Sequence, residues 1–179
     1  MEEADYENMS AFSCGVKLLD DFFHFEVKDC VNHRYLAAYC AKTRNNKIVA
    51  AFTLMNDALM IPGIDDKSEL IDDLRIEEPQ REEMVDFLKK QTSYPAINIG
   101  HLGVDCAYQR KGIGETIIDF IVATFAEMHH AGCQFVTVDA INNPDTIRFY
   151  QRVNFIFQTN RDFYESTRRM YRLLPFGTF

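Results

Sequence analysis

The sequence predicts an α/β (α+β) domain, and three observations lead there. Residues 97–104 form an apolar strand pattern that runs into the loop Gln109-Arg110-Lys111-Gly112-Ile113-Gly114 and then into a long amphipathic segment reaching His130. A second strand pattern follows over residues 135–140. Upstream, residues 35–43 and 48–56 are β-favouring runs joined by Arg44-Asn45-Asn46-Lys47, where Asn-Asn tolerates positive φ and reads as a hairpin turn. A chain of 179 residues suits one domain and can bury a full core without disulfides or metals.

The bulk numbers narrow the function classes. Hydrophobic residues make up 47% and charged residues 26%, and no apolar run approaches the ~18 residues of a membrane span. The start Met1-Glu2-Glu3-Ala4-Asp5 is acidic, opposite to the basic start of a signal peptide, so a cytoplasmic location is the expectation. Cys14, Cys30, Cys40, Cys106 and Cys133 are odd in number, widely spaced and without a C-x-x-C pair, which indicates reduced thiols rather than a disulfide framework or zinc site. Cys106 lies just past the central strand, and a partly buried free thiol is its plain reading. A net charge of −8 lacks the basic excess of most nucleic-acid binders. It suits a cationic acceptor such as an amine, and solubility alone explains it equally well.

Residues 1–12 show weak periodicity, with 9–12 readable as a short first strand or coil. Ser13 stands ahead of Val16, Leu18, Leu19, Phe22, Phe23 and Val27, which share one face of a core-packing helix. Leu59 to Ile61 extend the second hairpin strand before Pro62-Gly63 stops it. Residues 64–93 are a charged helical insertion within the same domain, placed as a wall of the substrate cleft, with apolar faces at Leu70, Ile71, Leu74 and at Met84, Val85, Phe87, Leu88. Its pairs Asp65-Asp66, Asp72-Asp73, Glu77-Glu78 and Glu82-Glu83 invite a metal, but adjacent like charges do not face each other on a helix, so they read as a solvated face. No metal is expected. Residues 155–158 and 170–174 read as closing strands, and the tail from Pro175 to Phe179 carries no functional signal.

The central stretch carries the chemistry. Gly100 and Gly103 interrupt a strand otherwise built from Ile97, Ile99, Leu102 and Val104, and mark a bulge or a close approach. In the loop 109–114, successive backbone N–H groups form an anion cradle, glycines admit the ligand without a Cβ, and the next helix presents its positive end. Arg110 and Lys111 either add charge to phosphates or point into solvent. The helix has Ile113, Ile117, Ile118, Ile121, Phe125 and Met128 on one face, opposite Glu115, Asp119 and Glu127. Its last turn holds His129 and His130, and Ala131-Gly132 stops it. The pattern is neither a Walker loop nor a dinucleotide fingerprint. Downstream, Asn143-Pro144 opens a short helix with Asn as N-cap, Pro at N1 and Asp145 in the first turn, and Tyr150 follows two turns along.

With these residues in view, the chain resembles the GNAT superfamily of acetyl-CoA-dependent N-acetyltransferases. The resemblance rests on His101-Leu102-Gly103-Val104, on the loop 109–114 in the family's Q/R-x-x-G-x-G/A form, and on Asn143-Pro144-Asp145-Thr146-Ile147-Arg148-Phe149-Tyr150. It is close over about the last half of the chain, and element order extends it over most of the rest. It implies a mixed, V-split sheet flanked by helices, with the pantetheine arm of acetyl-CoA between the fourth and fifth strands. Leu102 and Val104 would bond that arm through their backbones. The amides of Gln109, Arg110, Lys111, Gly112, Ile113 and Gly114 would hold the pyrophosphate, and Asn143 would line the arm's path. Tyr150 matches the family's usual acid for the departing CoA thiolate. The departure is Asn154-Phe155, where the family usually has Gly-Phe. Asn also tolerates positive φ, so the turn is expected to survive.

The resemblance implies direct attack of a primary amine on the thioester in a ternary complex. A backbone N–H near Val104 is the oxyanion donor and Tyr150 the proton donor to sulfur. The acceptor is a small-molecule, protein or peptide amine, and a homodimer is compatible with the family. His101 is a candidate base, yet it alternates with Leu102 and Val104 and so faces the other side of the sheet; water-relayed deprotonation or a neutral amine serves equally. Within the family, Phe12-Ser13-Cys14-Gly15 with Leu18, Asp20, Phe22 and Phe23, and Phe149-Tyr150-Gln151-Arg152-Val153, are similar to toxin acetyltransferases of toxin–antitoxin pairs. That alternative implies aminoacyl-tRNA as acceptor and a small antitoxin as partner. A non-catalytic acyl-CoA-binding module is the other alternative.

Overall fold

A computed structural model describes residues 1–61, 63–74, 81–127 and 131–175. Pro62, the Glu77-Glu78 pair, Met128, His129, His130 and the tail beyond Pro175 lie outside the described residues. The elements in order are α1 (Glu3–Asn8), a 3₁₀ turn (Met9–Ala11), α2 (Lys17–Asp21), a π-helical turn (Phe22–Glu26), α3 (Val27–Asn32), β1 (Ala37–Lys42), β2 (Ile48–Met60), α4 (Ile64–Asp73), α5 (Arg81–Lys90), β3 (Ser93–Val104), a second 3₁₀ turn (Cys106–Tyr108), α6 (Ile113–Glu127), β4 (Phe135–Ile141), α7 (Pro144–Arg152), β5 (Ile156–Phe157) and β6 (Thr167–Leu173). The strands hydrogen-bond in the order β1-β2-β3-β4-β6-β5. Pairing is antiparallel at β1–β2, β4–β6 and β5–β6, and β3 reaches its neighbour β4 through α6, the kind of connection parallel strands need. The chain divides into two compact units, Met1–Asn56 with Asn98–Thr124, and Asp57–Ile97 with Phe125–Phe179.

In the first unit, Met9, Phe12, Phe22, Phe23 and Val27 pack with Leu36, Ala38, Ile48 and Ala51. The 9–12 segment is therefore neither strand nor coil. It is a 3₁₀ turn closing α1, because Glu2 and Asp5 form a capping box that starts a helix there. The helix expected after Ser13 starts at Lys17, and Asp20 explains the delay: its carboxylate takes the Cys14 N–H at 2.7 Å and the Ser13 hydroxyl at 2.7 Å, leaving Gly15 in a left-handed turn at φ 81°. The π turn then shifts the helical register, so Phe22, Phe23 and Val27 are buried while Leu18 is 81% exposed and Val16 also reaches solvent. The hairpin turn is as expected: Asn46 has φ 60° and its N–H donates to Thr43 O at 3.0 Å. On α6, Ile117, Ile118, Ile121 and Val122 are buried.

In the second unit, Leu70 and Ile71 of α4 and Leu88 of α5 join Leu59, Tyr94, Phe135 and Tyr171 in one cluster. The charged stretch thus forms two helices, with Glu82 and Glu83 in the first turn of α5 and Lys89 and Lys90 in its last, matching the helix dipole. β3 begins four residues earlier than the apolar run suggested, and β6 three earlier, with Arg168 buried at its start. That arginine is held by Asp162 at 2.6 Å and the Thr159 carbonyl at 3.2 Å, over the Phe157 ring. β5 is only two residues long.

After α7 the chain reverses at Asn154, φ 65°, where the Phe155 N–H donates to Tyr150 O at 2.9 Å. The substitution of Asn for the family's Gly leaves this turn intact. Asn154→Val should cost about 1–2 kcal/mol in urea unfolding, the strain of a branched residue in the left-handed region, while Asn154→Gly should stay within about 0.5 kcal/mol. A valine variant as stable as the native chain would contradict the turn's role.

Candidate functional site

The first unit carries the loop. β3 ends at Val104, and Asp105 turns the chain: its carboxylate accepts the Ala107 N–H at 3.0 Å, and its own N–H donates to Val49 O at 2.9 Å. Gln109 is the clamp. Its side-chain amide donates to Cys14 O at 2.8 Å and to Val104 O at 2.9 Å, fixing where the loop leaves the strand. Arg110 at φ 59° and Gly112 at φ 79° then bend the backbone twice through the left-handed region into α6. Within that helix the Thr116 N–H donates to Gly112 O at 3.0 Å. Among the described residues, the amides of Lys111, Gly112, Ile113 and Gly114 have no acceptor. A Cβ built on Gly112 meets nothing within 4 Å, so the space beside these donors is open. Four consecutive unpaired N–H groups around open space at a helix N-terminus fit a phosphate group.

The strand leading in is crowded where glycine predicted it. A Cβ on Gly100 would lie 2.7 Å from Met55 Cε and 3.1 Å from Thr53 Oγ1, and one on Gly103 would lie 3.2 Å from Cys14 Cβ and Phe12 Cζ. Protein side chains fill both approaches. Leu102 and Val104 are half-buried. His101 lies flat on the Phe22 ring at 3.5 Å and its Nδ1 is 3.1 Å from Thr53 Oγ1. Burial pushes its pKa down to about 4, so it is neutral at pH 7 and reads as a packed core histidine. Lys111 is exposed, and its ammonium donates to Ala107 O at 2.8 Å, which folds the side chain back along its own loop. Cys106 is exposed rather than partly buried, and burial raises the Cys14 thiol to about 11.

The second unit carries the helix. The Asn143 side chain accepts from Asp145 N at 3.1 Å and Thr146 N at 2.9 Å, the N-cap its position predicted, with Pro144 at N1. Tyr150 is 6% exposed, between Phe149 at 5.0 Å and Phe155 at 5.3 Å, both edge-on. Burial raises its pKa well above the ordinary phenol value, so the hydroxyl keeps its proton.

Sequence reasoning missed one polar cluster in this unit. Thr137 and Asp139 on β4, Asp57 on β2 and Arg169 on β6 converge: Asp57 takes the Thr137 hydroxyl and an Arg169 N–H, and Arg169 also reaches Asp139 at 2.8 Å. Burial opposes ionisation of Asp57, but the Thr137, Ala58 and Arg169 donors hold its carboxyl below the usual range. The signal was the alternation of Thr137 and Asp139 within an otherwise apolar strand. Among the described residues no group of three or more His, Cys, Asp or Glu is placed to hold a metal, and no helix is long and apolar enough to cross a membrane.

A lowered histidine pKa makes stability depend on pH with a defined sign. The unfolded chain takes up a proton at His101 near pH 6.5 and the folded one only near 4, so stability is complete above the first value and falls on acidification between the two. Urea unfolding at pH 7 and pH 5 should show this loss, and His101→Phe, which keeps the stack, should reduce it. Equal pH dependence in both proteins would contradict the buried neutral imidazole.

Residues 75–157 match the family model described as the acetyltransferase (GNAT) domain. No curated protein matches the chain in sequence. Among solved structures, a bacterial toxin is similar at a TM-score of 0.72 and 20% identity, covering 94% of this chain and 84% of that one. A tyrosine-to-phenylalanine mutant of KacT is similar at 0.69 and 17%, covering 95% and 91%. AtaT complexed with acetyl-methionyl-tRNAfMet is similar at 0.67 and 19%, covering 94% and 89%. The likeness to these structures lies in the fold, and the match to the acetyltransferase (GNAT) domain model spans the segment that carries the 109–114 loop and α7.

Proposed function

We propose that the chain is an N-acetyltransferase moving the acetyl group of acetyl-CoA to a primary amine, in the cytoplasm. The observation that carries this is the row of unpaired amides from Lys111 to Gly114 beside the open face of Gly112. These amides take the pyrophosphate, together with those of Gln109 and Arg110. The backbones of Leu102 and Val104 are assigned to the pantetheine arm, and Asn143, whose side-chain oxygen caps α7, is assigned to the arm's path.

In the reaction the neutral amine nitrogen attacks the thioester carbonyl. The C–N bond forms, a backbone N–H near Val104 stabilises the oxyanion, and the C–S bond breaks as the carbonyl reforms. The thiolate takes its proton from Tyr150, whose burial keeps it protonated until that moment. The proton shed by the amine leaves through water and restores the tyrosine, so the products are an N-acetyl amine and CoA thiol. His101 is not assigned as base, because its imidazole is packed on Phe22 and bonded to Thr53.

A second reading is favoured by the fold comparisons. The similar structures include AtaT complexed with acetyl-methionyl-tRNAfMet and AtaT with the antitoxin AtaR and acetyl-CoA. Under it the acceptor is the amino group of an aminoacyl-tRNA and an antitoxin silences the enzyme. The net charge of −8 weighs against a tRNA acceptor.

Mass spectrometry of reactions with acetyl-CoA and a panel of small amines, peptide N-termini and aminoacyl-tRNA decides between these. A small amine or peptide gaining an acetyl group supports the first reading, and acetylated aminoacyl-tRNA the second. Binding of acetyl-CoA with no product from any acceptor points to the non-catalytic module. Tyr150→Phe should bind acetyl-CoA as tightly as the wild type within about twofold while turnover falls about 100-fold, the low end of a lost proton donor. Unchanged turnover removes the acid assignment.

A further inference from the structure

The first unit holds a second cationic feature beside the amide cradle. Lys111 folds back along its own loop, with Nζ bonded to Ala107 O and standing 5.1 Å from the centroid of the Tyr108 ring. Lys47, from the β1–β2 hairpin, brings its Nζ to 5.0 Å from the same centroid. Neither lysine has a carboxylate partner among the described residues. In a chain with 27 acidic and 19 basic side chains, two ammonium groups sharing one ring without a counter-charge are unusual. Both are ordered from behind. The Lys47 N–H donates to Thr43 Oγ1 at 3.1 Å and the Lys47 carbonyl accepts the Thr43 N–H at 2.9 Å, closing the hairpin, while the Asp105 N–H bond to Val49 O ties the loop to the same strand.

We propose that Lys47 and Lys111, held against Tyr108, recognise the 3′-phosphate of CoA; this rests on the acetyl-CoA reading above and deepens it. CoA carries phosphate in two places, a diphosphate linkage and a terminal monoester on the ribose. Adjacent neutral amides suit the linkage. The monoester is close to a dianion at neutral pH, and lysine ammonium groups bind such a group as point charges. A cation–π contact with Tyr108 holds each ammonium in place before the anion arrives, reducing the ordering cost of binding.

Titration calorimetry with CoA and with 3′-dephospho-CoA tests the assignment. Wild-type protein should bind CoA at least about tenfold more tightly, the scale of a charge-assisted contact. In Lys47→Met, CoA affinity should fall toward the dephospho-CoA level while dephospho-CoA affinity stays within about twofold. Tyr108→Leu should give an intermediate ratio, and raising the salt concentration should narrow the wild-type ratio. Equal binding of the two nucleotides by the wild type, or a ratio fully retained in folded Lys47→Met, overturns the 3′-phosphate site and leaves the acetyl-CoA reading standing. No binding of either nucleotide to folded wild-type protein overturns both.

Discussion

The bend between β3 and α6 is the constraint on which the candidate chemistry depends. A chain that went directly from strand to helix would bury or pair its linking amides. Here two residues with positive φ, Arg110 and Gly112, turn the backbone so that the next amides stay unpaired and face open space. Such a bend is costly on its own, and the Gln109 side chain compensates by bridging the carbonyls of Cys14 and Val104. One glutamine thus joins the N-terminal turn, the strand end and the loop, and its loss would release all three. Arg110 occupies the left-handed region without glycine's freedom, which places local strain beside the proposed binding groups.

The same logic of fixing backbone with side chains recurs across each unit. Asp20 holds the Ser13–Gly15 turn ahead of α2, Asp105 holds the turn after β3, Asn143 caps α7, and Asp162 takes both the Arg168 guanidinium and the Arg169 N–H before β6. Each carboxylate or amide satisfies donors that a helix start or tight turn leaves free. Buried Tyr150 follows a different rule. It is placed by ring packing with Phe149 and Phe155, and the burial that packs it also keeps its proton.

Local chemistry was the legible part of the sequence. The Asn143-Pro144 cap, the Asn-Asn hairpin and the helix starting at Ile113 followed from residue preferences acting over a few positions, and the structure places each there. What was not legible depended on long-range partners. The π turn that exposes Leu18 comes from how Phe22 and Phe23 seat against the core and His101, which periodicity does not encode. The glycines of β3 announced a close approach, but that Met55, Phe12 and Cys14 provide it required the fold. The Asp57–Thr137–Asp139–Arg169 cluster joins residues up to 112 positions apart, and Lys47 meets Tyr108 through a hairpin that alone reads as a plain turn.

The central claim is that the 109–114 loop is the pyrophosphate site of an acetyl-CoA-dependent enzyme. Calorimetric titration of acetyl-CoA into the wild type and into Gly112→Val tests it most directly. The account predicts one acetyl-CoA bound per chain. It also predicts a loss of about tenfold or more in the valine variant, whose branched side chain both strains the left-handed backbone and fills the open face, while the variant remains folded by circular dichroism. Undiminished binding in folded Gly112→Val, or no binding to the wild type, would contradict it.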